Sequence, residues 1–194
     1  MPSDTFAGDF RKENIQSLQK FHVDIFLCGK GVPPKGSAKS GPKNRDIRSQ
    51  LMKKLEFELK GCTVRLGEHK KLIRAFKDAV GGGVDNLAEF ELSLAKRKQI
   101  DLVVIFPSSP GSFAEIGMFS LVEGIARKMA IFIDRRHRAG QGYVNEGPVK
   151  AAKDRRSVVF YVDYKRLDLI WIKVRKLVLA IKKRKRTRAL LADM

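Results

Sequence analysis

The sequence predicts an α/β fold in which a mostly parallel sheet of about five strands lies between two layers of helices and the chain ends in a long basic helix. Three observations carry this. Short apolar, β-branched runs alternate with stretches of helical period. The run Leu102 to Phe106 is apolar at consecutive rather than alternate positions, the pattern of a strand covered on both faces. The links between runs are long enough to hold a helix and cross over the sheet, as right-handed parallel connections require.

Residues 1–22, polar with a weak helical pattern at Phe10, Ile15 and Leu18, read as an N-terminal arm or surface helix. A first strand over 23–28 (VDIFLC) runs into Gly29-Lys30-Gly31. The loop from Val32 to Lys43 mixes prolines, glycines and serines with Lys35, Lys39 and Lys43. Its composition fits phosphate handling without matching a P-loop, and it fits a solvated flexible loop equally well. Asn44 is placed to cap a helix over 45–60, whose Ile47, Leu51, Leu55 and Leu59 recur every four residues until Gly61 stops it. Arg45 and Arg48 fall in its first turns, near the mouth of the loop. A second strand over 62–66 and a helix over 69–80 follow, ended by Gly81-Gly82-Gly83.

The helix predicted over 86–98 buries an arc of Leu87, Phe90, Leu94 and Ala95, and Glu91 falls inside that arc. An acid there needs a partner, a rim position or a task, and Arg45 or Arg48 could neutralise it. The central strand then meets PSSPGSFAEIG, a turn opening a further helix. Backbone N–H groups at such a helix start are unpaired and partly positive, and Gly111 with Ser112 would let an anion approach them. Glu115 lies one turn inside. Ser112-x-x-Glu115 also fits a capping box, so a local structural role competes with a functional one. Strands at 129–133 and 157–163 flank a basic loop (134–138) and a turn-rich stretch (140–148) that could close over the same crevice.

The final helix keeps apolar spacing at Leu167, Ile170, Trp171, Val174, Leu177, Val178 and Ile181. Beyond it, Lys182, Lys183, Arg184, Lys185, Arg186 and Arg188 form a basic tail (182–194), after a domain over 23–181. The chain of 194 residues carries a formal charge of +19 and suits polyanionic partners. The tail is therefore read either as a solvated face or as a nucleic-acid-binding segment of poor sequence specificity. Cys28 and Cys62 stand apart from any Cys/His cluster, so no metal and no cofactor is expected. A signal peptide and a membrane span are both missing from the pattern, and a cytoplasmic protein without membrane contact is the expectation.

The order strand-GKG, Asp85-Asn86-Leu87-Ala88-x-x-Glu91 and DLVVIF-x-x-SPGSFAEIG resembles the Rossmann-like superfamily of nucleoside 2-deoxyribosyltransferases and LOG nucleotide hydrolases. It is similar as well to relatives among bacterial defence proteins, including retron-associated effectors and SLOG-type nucleotide sensors. The likeness covers about 23–162 and rests on G-[ST]-x-x-E, here Gly111-Ser112-Phe113-Ala114-Glu115. It implies a three-layer Rossmann-like sandwich and a homo-oligomer. It also implies an N-glycosidic-bond hydrolase or transferase with Glu115 as nucleophile and Glu91 as assisting acid. Where the deoxyribosyltransferases carry an aspartate six residues before the nucleophile, this chain has Ser109.

On that reading Gly29, Lys30, Gly31, Arg45, Arg48, Ser109, Gly111 and Ser112 hold the phosphate or ribose of a nucleotide, nucleoside or NAD-like small molecule. The competing readings are a nucleotide sensor that does not turn its ligand over, and an effector subunit docked on nucleic acid through the tail.

Overall fold

The computed structural model describes residues 17–30, 47–67, 73, 74, 78, 86–138 and 142–192. Gly31, the loop over 32–43, Asn44, Arg45, the triple glycine, Gly140 and most of the helix predicted over 69–80 lie outside them. Within that stretch Ile73, Arg74 and Asp78 are helical.

In chain order the elements are β1 (Val23–Gly29), α1 (Ile47–Glu58), β2 (Cys62–Arg65), α2 (Leu87–Lys96), β3 (Ile100–Phe106), α3 (Pro110–Ser120), α4 (Glu123–Ala126), β4 (Met129–Asp134), α5 (Lys150–Asp154), β5 (Val158–Val162) and α6 (Leu167–Ala192). The strands form one five-stranded sheet in the order β2-β1-β3-β4-β5. Every pairing is parallel. This is the parallel three-layer α/β arrangement expected from the alternation of strand and helix patterns, and the Rossmann-like sandwich that the resemblance implies.

The pleat sends alternate residues to two cores. Ile25, Leu27, Val104, Phe106 and Phe132 face α1 and α6, meeting Leu51, Leu55, Val174 and Val178. Phe26, Cys28, Val103, Ile105 and Ile131 face the other layer, meeting Phe90 and Leu94 of α2 and Ile116 and Phe119 of α3. Burial on both sides explains why β3 reads as an unbroken apolar run. Two sequence expectations are adjusted. Leu87, placed in the buried arc of α2, is half exposed, because it occupies the first helical position after the cap residue Asn86, whose side chain accepts from Glu89 N–H. The basic segment beyond Ile181 continues α6 without a break to Ala192.

One backbone position departs from what its residue type favours. At the end of α5, Arg156 N–H reaches Lys153 O at 2.9 Å and Ser157 N–H reaches Ala152 O at 2.9 Å. This pair of bonds requires a left-handed residue between them, and Arg156 takes that conformation with φ 69°. An L-residue with a Cβ is strained there by roughly 1–2 kcal/mol, whereas glycine is not. Arg156→Gly is expected to raise stability by about 1 kcal/mol, read as a higher urea midpoint at unchanged m-value.

A candidate site at the carboxyl edge of the sheet

Between β1 and β3 the strand order reverses: the chain leaves β1 for β2 on one side, and returns to add β3 and β4 on the other. The first connection runs over one face through α1, and the later ones run over the opposite face through α2 and α3. The topology therefore sets a candidate crevice beyond the carboxyl ends of β1 and β3, where ligands of open α/β sheets bind.

The floor of this crevice is set by Gly29. Its φ of +148° is a conformation that side chains disfavour, and a Cβ would come within 3.2 Å of Phe106 O and 3.4 Å of Arg48 Cδ. Arg48 is 2% exposed, and its Nη1 donates to Gly29 O at 3.2 Å. The predicted phosphate ligand thus lies beneath the crevice as a brace for the end of β1. Lys30, the next residue after β1, is exposed.

Gly67, just after β2, meets α2 across the same edge. A Cβ at this position would lie 2.2 Å from Glu91 Oε1 and 3.0 Å from Glu91 Cδ. The Glu91 carboxylate occupies the space that any larger residue at 67 would need. Its position inside the apolar arc of α2 therefore has a specific receiving surface.

The start of α3 differs from the sequence expectation in an informative way. Ser109, not Ser112, is the cap, with an extended backbone, and Pro110 takes the first helical position, where a missing N–H costs nothing. The capping box pairs Ser109 with Ser112. Ser112 Oγ accepts from the N–H groups of Ser108 and Ser109, each at 2.9 Å, and donates to Ser109 O at 2.8 Å. Ser112 is buried and its hydroxyl belongs to the loop. Glu115 is consequently released from the capping role. It is half-buried, and its Oε2 is shielded from solvent. Gly111 is exposed, and a Cβ there would meet nothing within 4 Å among the described residues. Within those residues neither packing nor backbone geometry calls for glycine at 111, and they leave the space over the helix start open.

The predicted nucleic-acid ligands of the tail lie at the opposite edge of the sheet, roughly 20 Å away along the strands. They divide into two groups. Lys182 is 2% exposed, its Nζ donates to Lys60 O at 2.5 Å, and burial holds its ammonium below the ordinary lysine range. Lys185 donates to His22 O and to Asp101 Oδ2, both at 2.7 Å, and Arg186 Nη1 donates to Ser17 Oγ at 3.1 Å. Lys182 and Lys185 close α6 onto the amino ends of the strands, and Arg186 ties it to the helical turn at Ser17. Lys183, Arg184 and Arg188 are exposed. Among the described residues no group of His, Cys, Asp and Glu could hold a metal ion, and no helix is long and apolar enough to cross a membrane.

Two comparisons with known proteins bear on this arrangement. A family model described as STM3845 retron effector protein matches residues 44–190, from before α1 almost to the end of α6. The chain is also similar to an Escherichia coli protein named "Retron Ec86 putative ribosyltransferase/DNA-binding protein", with 31% identity over 147 residues. That alignment takes in 75% of this chain and 40% of the relative, so the chain spans about two fifths of the length of the curated relative it matches. The matched span contains Arg48, Gly67, Glu91, the Ser109–Ser112 cap and Glu115, and with that coverage the chain belongs to the STM3845 retron effector protein family.

Proposed function

We propose that this chain cleaves or transfers the N-glycosidic bond of a nucleotide or nucleoside within a retron defence effector, with Glu115 as the carboxylate at the anomeric carbon. The observation that supports it most is the release of Glu115 from the helix cap. Ser109 and Ser112 form the capping box between them, and Glu115, half-buried on the same helix with Oε2 shielded from solvent, is not part of it. Breaking the bond between C1′ and the base nitrogen develops positive charge on the sugar. A carboxylate oxygen attacks or stabilises that carbon while the base departs with the bonding electrons and gains a proton. Water or an acceptor nucleophile then takes the sugar. Glu91, set against Gly67, handles the proton or orients the sugar.

Phosphate binding fits the open helix start at Gly111, with Lys30 supplying charge. The "ribosyltransferase" in the relative's name accords with sugar transfer and with the nucleoside deoxyribosyltransferase likeness of the motif. Ser109 stands where those enzymes have an aspartate, and its hydroxyl is engaged in the cap. That feature favours the second reading, a nucleotide sensor of the SLOG type without turnover. The same relative's "DNA-binding" accords with a polyanion held at the basic edge by Lys183, Arg184 and Arg188, remote from the crevice. There it would anchor the effector and would not be its substrate.

Incubation of the protein with nucleosides, nucleotides and NAD, followed by chromatography for free base, tests the chemistry. Glu115→Gln keeps the shape of the side chain and is expected to lower base release by roughly 100-fold to 10,000-fold. Release unchanged in that variant removes Glu115 from the chemistry, and ligand retained without cleavage by the wild type establishes the sensor.

Gly67→Ala displaces only the flexible end of Glu91, so it should leave the melting temperature nearly unchanged. Turnover is expected to fall by about 100-fold, as for a reacting group misplaced by about 1 Å. For the basic edge, replacing Lys183, Arg184 and Arg188 together by glutamine is expected to lower the slope of log K against log salt for single-stranded DNA by about 2. Stability should not change, because the bracing Lys182, Lys185 and Arg186 remain.

A further inference from the structure

A cavity of about 320 Å³ is lined by Phe113, Ile133, Arg136, His137 and residues 142–145. Its volume suits a heterocyclic base with its sugar. Phe113 precedes Glu115 by two residues on α3, and at about 100° per residue their side chains leave the helix about 160° apart. The neighbours of α3 are arranged accordingly: it packs against α2, which carries Glu91, and separately against the Asn145–Val149 segment and α5. Phe113 of α3 lines the cavity, and Glu115 leaves the helix on its other side.

Each wall has a local cause. Pro148 has no N–H to give a helical partner, and the backbone opens into a wide turn over Asn145–Val149 in which Lys150 N–H reaches Asn145 O. This turn carries the Tyr143 ring over Gly147, where a Cβ would come within 3.4 Å of it. Elsewhere the ring is uncovered, and Tyr143 is 85% exposed. An aromatic ring backed by glycine and open on the other side is a stacking surface for a base.

Asn145 is oriented by donation from Nδ2 to His137 O at 2.9 Å and acceptance from Tyr161 OH at 3.3 Å. Arg136 is fixed by two bonds to Asp134, Nε to Oδ1 at 3.1 Å and Nη2 to Oδ2 at 2.9 Å. That pairing holds the Asp134 carboxyl below its ordinary range. It also leaves Nη1 of Arg136 outside the pair, on a rim of exposed basic residues running from Arg135 to Arg138.

We propose that this cavity is a second nucleotide-binding site, with a base stacked on Tyr143 and a phosphate held by Arg136 and the adjoining basic turn, filled independently of the Glu91 and Glu115 crevice. The ligand chemistry is that of a nucleoside phosphate, as a free mononucleotide or as one unit of an unpaired strand.

Photolabelling with azido-adenosine monophosphate, followed by peptide mapping, tests this. The label is expected on the peptide that carries Tyr143, in the wild type and equally in Glu115→Gln. Tyr143→Ala should weaken AMP binding at this site roughly tenfold with an unchanged melting temperature, since the ring is largely exposed. Competition by AMP in preference to a short oligothymidylate identifies the free nucleotide as the source, and the opposite preference identifies a strand. Label confined to the segments around Gly29 and Ser108–Ser112, or AMP affinity indifferent to Tyr143→Ala, overturns the proposal. Base release and its loss in Glu115→Gln bear on the other crevice alone, so the two assignments fail separately.

Discussion

The arrangement depends on a constraint of parallel sheets. Two adjacent parallel strands whose connections leave toward opposite faces cannot have the gap at their carboxyl ends filled by either connection. β1 and β3 are such a pair, and their contact is made close by Gly29, whose backbone conformation and nearness to Phe106 exclude a side chain. Arg48 reinforces that end from the α1 face, while α2 and α3, the helices that carry Glu91 and Glu115, pack on the other. These polar residues are thus held by elements whose apolar faces are already fixed in the two cores.

The amino edge of the sheet is organised by different physics. Strand starts in a parallel sheet leave polar groups without a strand partner, and here side chains supply them. Asp101 accepts from Asp24 N–H at 3.0 Å and from Lys185, and Asp24 accepts from Arg65 Nε at 2.9 Å. Burying an ammonium is unfavourable unless a strong acceptor compensates, and Lys60 O does so for Lys182. The basic run of α6 is therefore mixed in purpose: some cations close the fold, and others face solvent.

Much of this was legible in the sequence because period and composition report burial directly. The consecutive apolar residues of β3, the four-residue spacing of Ile47, Leu51 and Leu55 and the alternation of elements led to the right layers and strands. Glu91 stood out as an acid in an apolar arc, although its receiving surface at Gly67 comes from a distant part of the chain that no local pattern reveals. The start of α3 was misjudged because S-x-x-E is a familiar signature, whereas Ser-Pro three residues earlier is the stronger one: proline at the first helical position fixes the boundary. No local pattern links Tyr143 to Arg136, because they meet through the cavity beside a wide turn around Pro148, and such turns have no period. The split among the basic residues of α6 was equally hidden, since charge counts do not distinguish Lys182 from Lys183.

The bonding of Ser112 has a consequence for recognition. Its hydroxyl ties the N–H groups of Ser108 and Ser109 and the carbonyl of Ser109 to the first turn of α3. The loop at the mouth of the crevice therefore gives up its conformational freedom when the chain folds, not when a ligand arrives. A molecule meeting this surface loses its own rotational and translational freedom and little of the loop's, which favours affinity from few contacts. The same rigidity limits adaptation: a ligand bound there would have to match the loop as it stands.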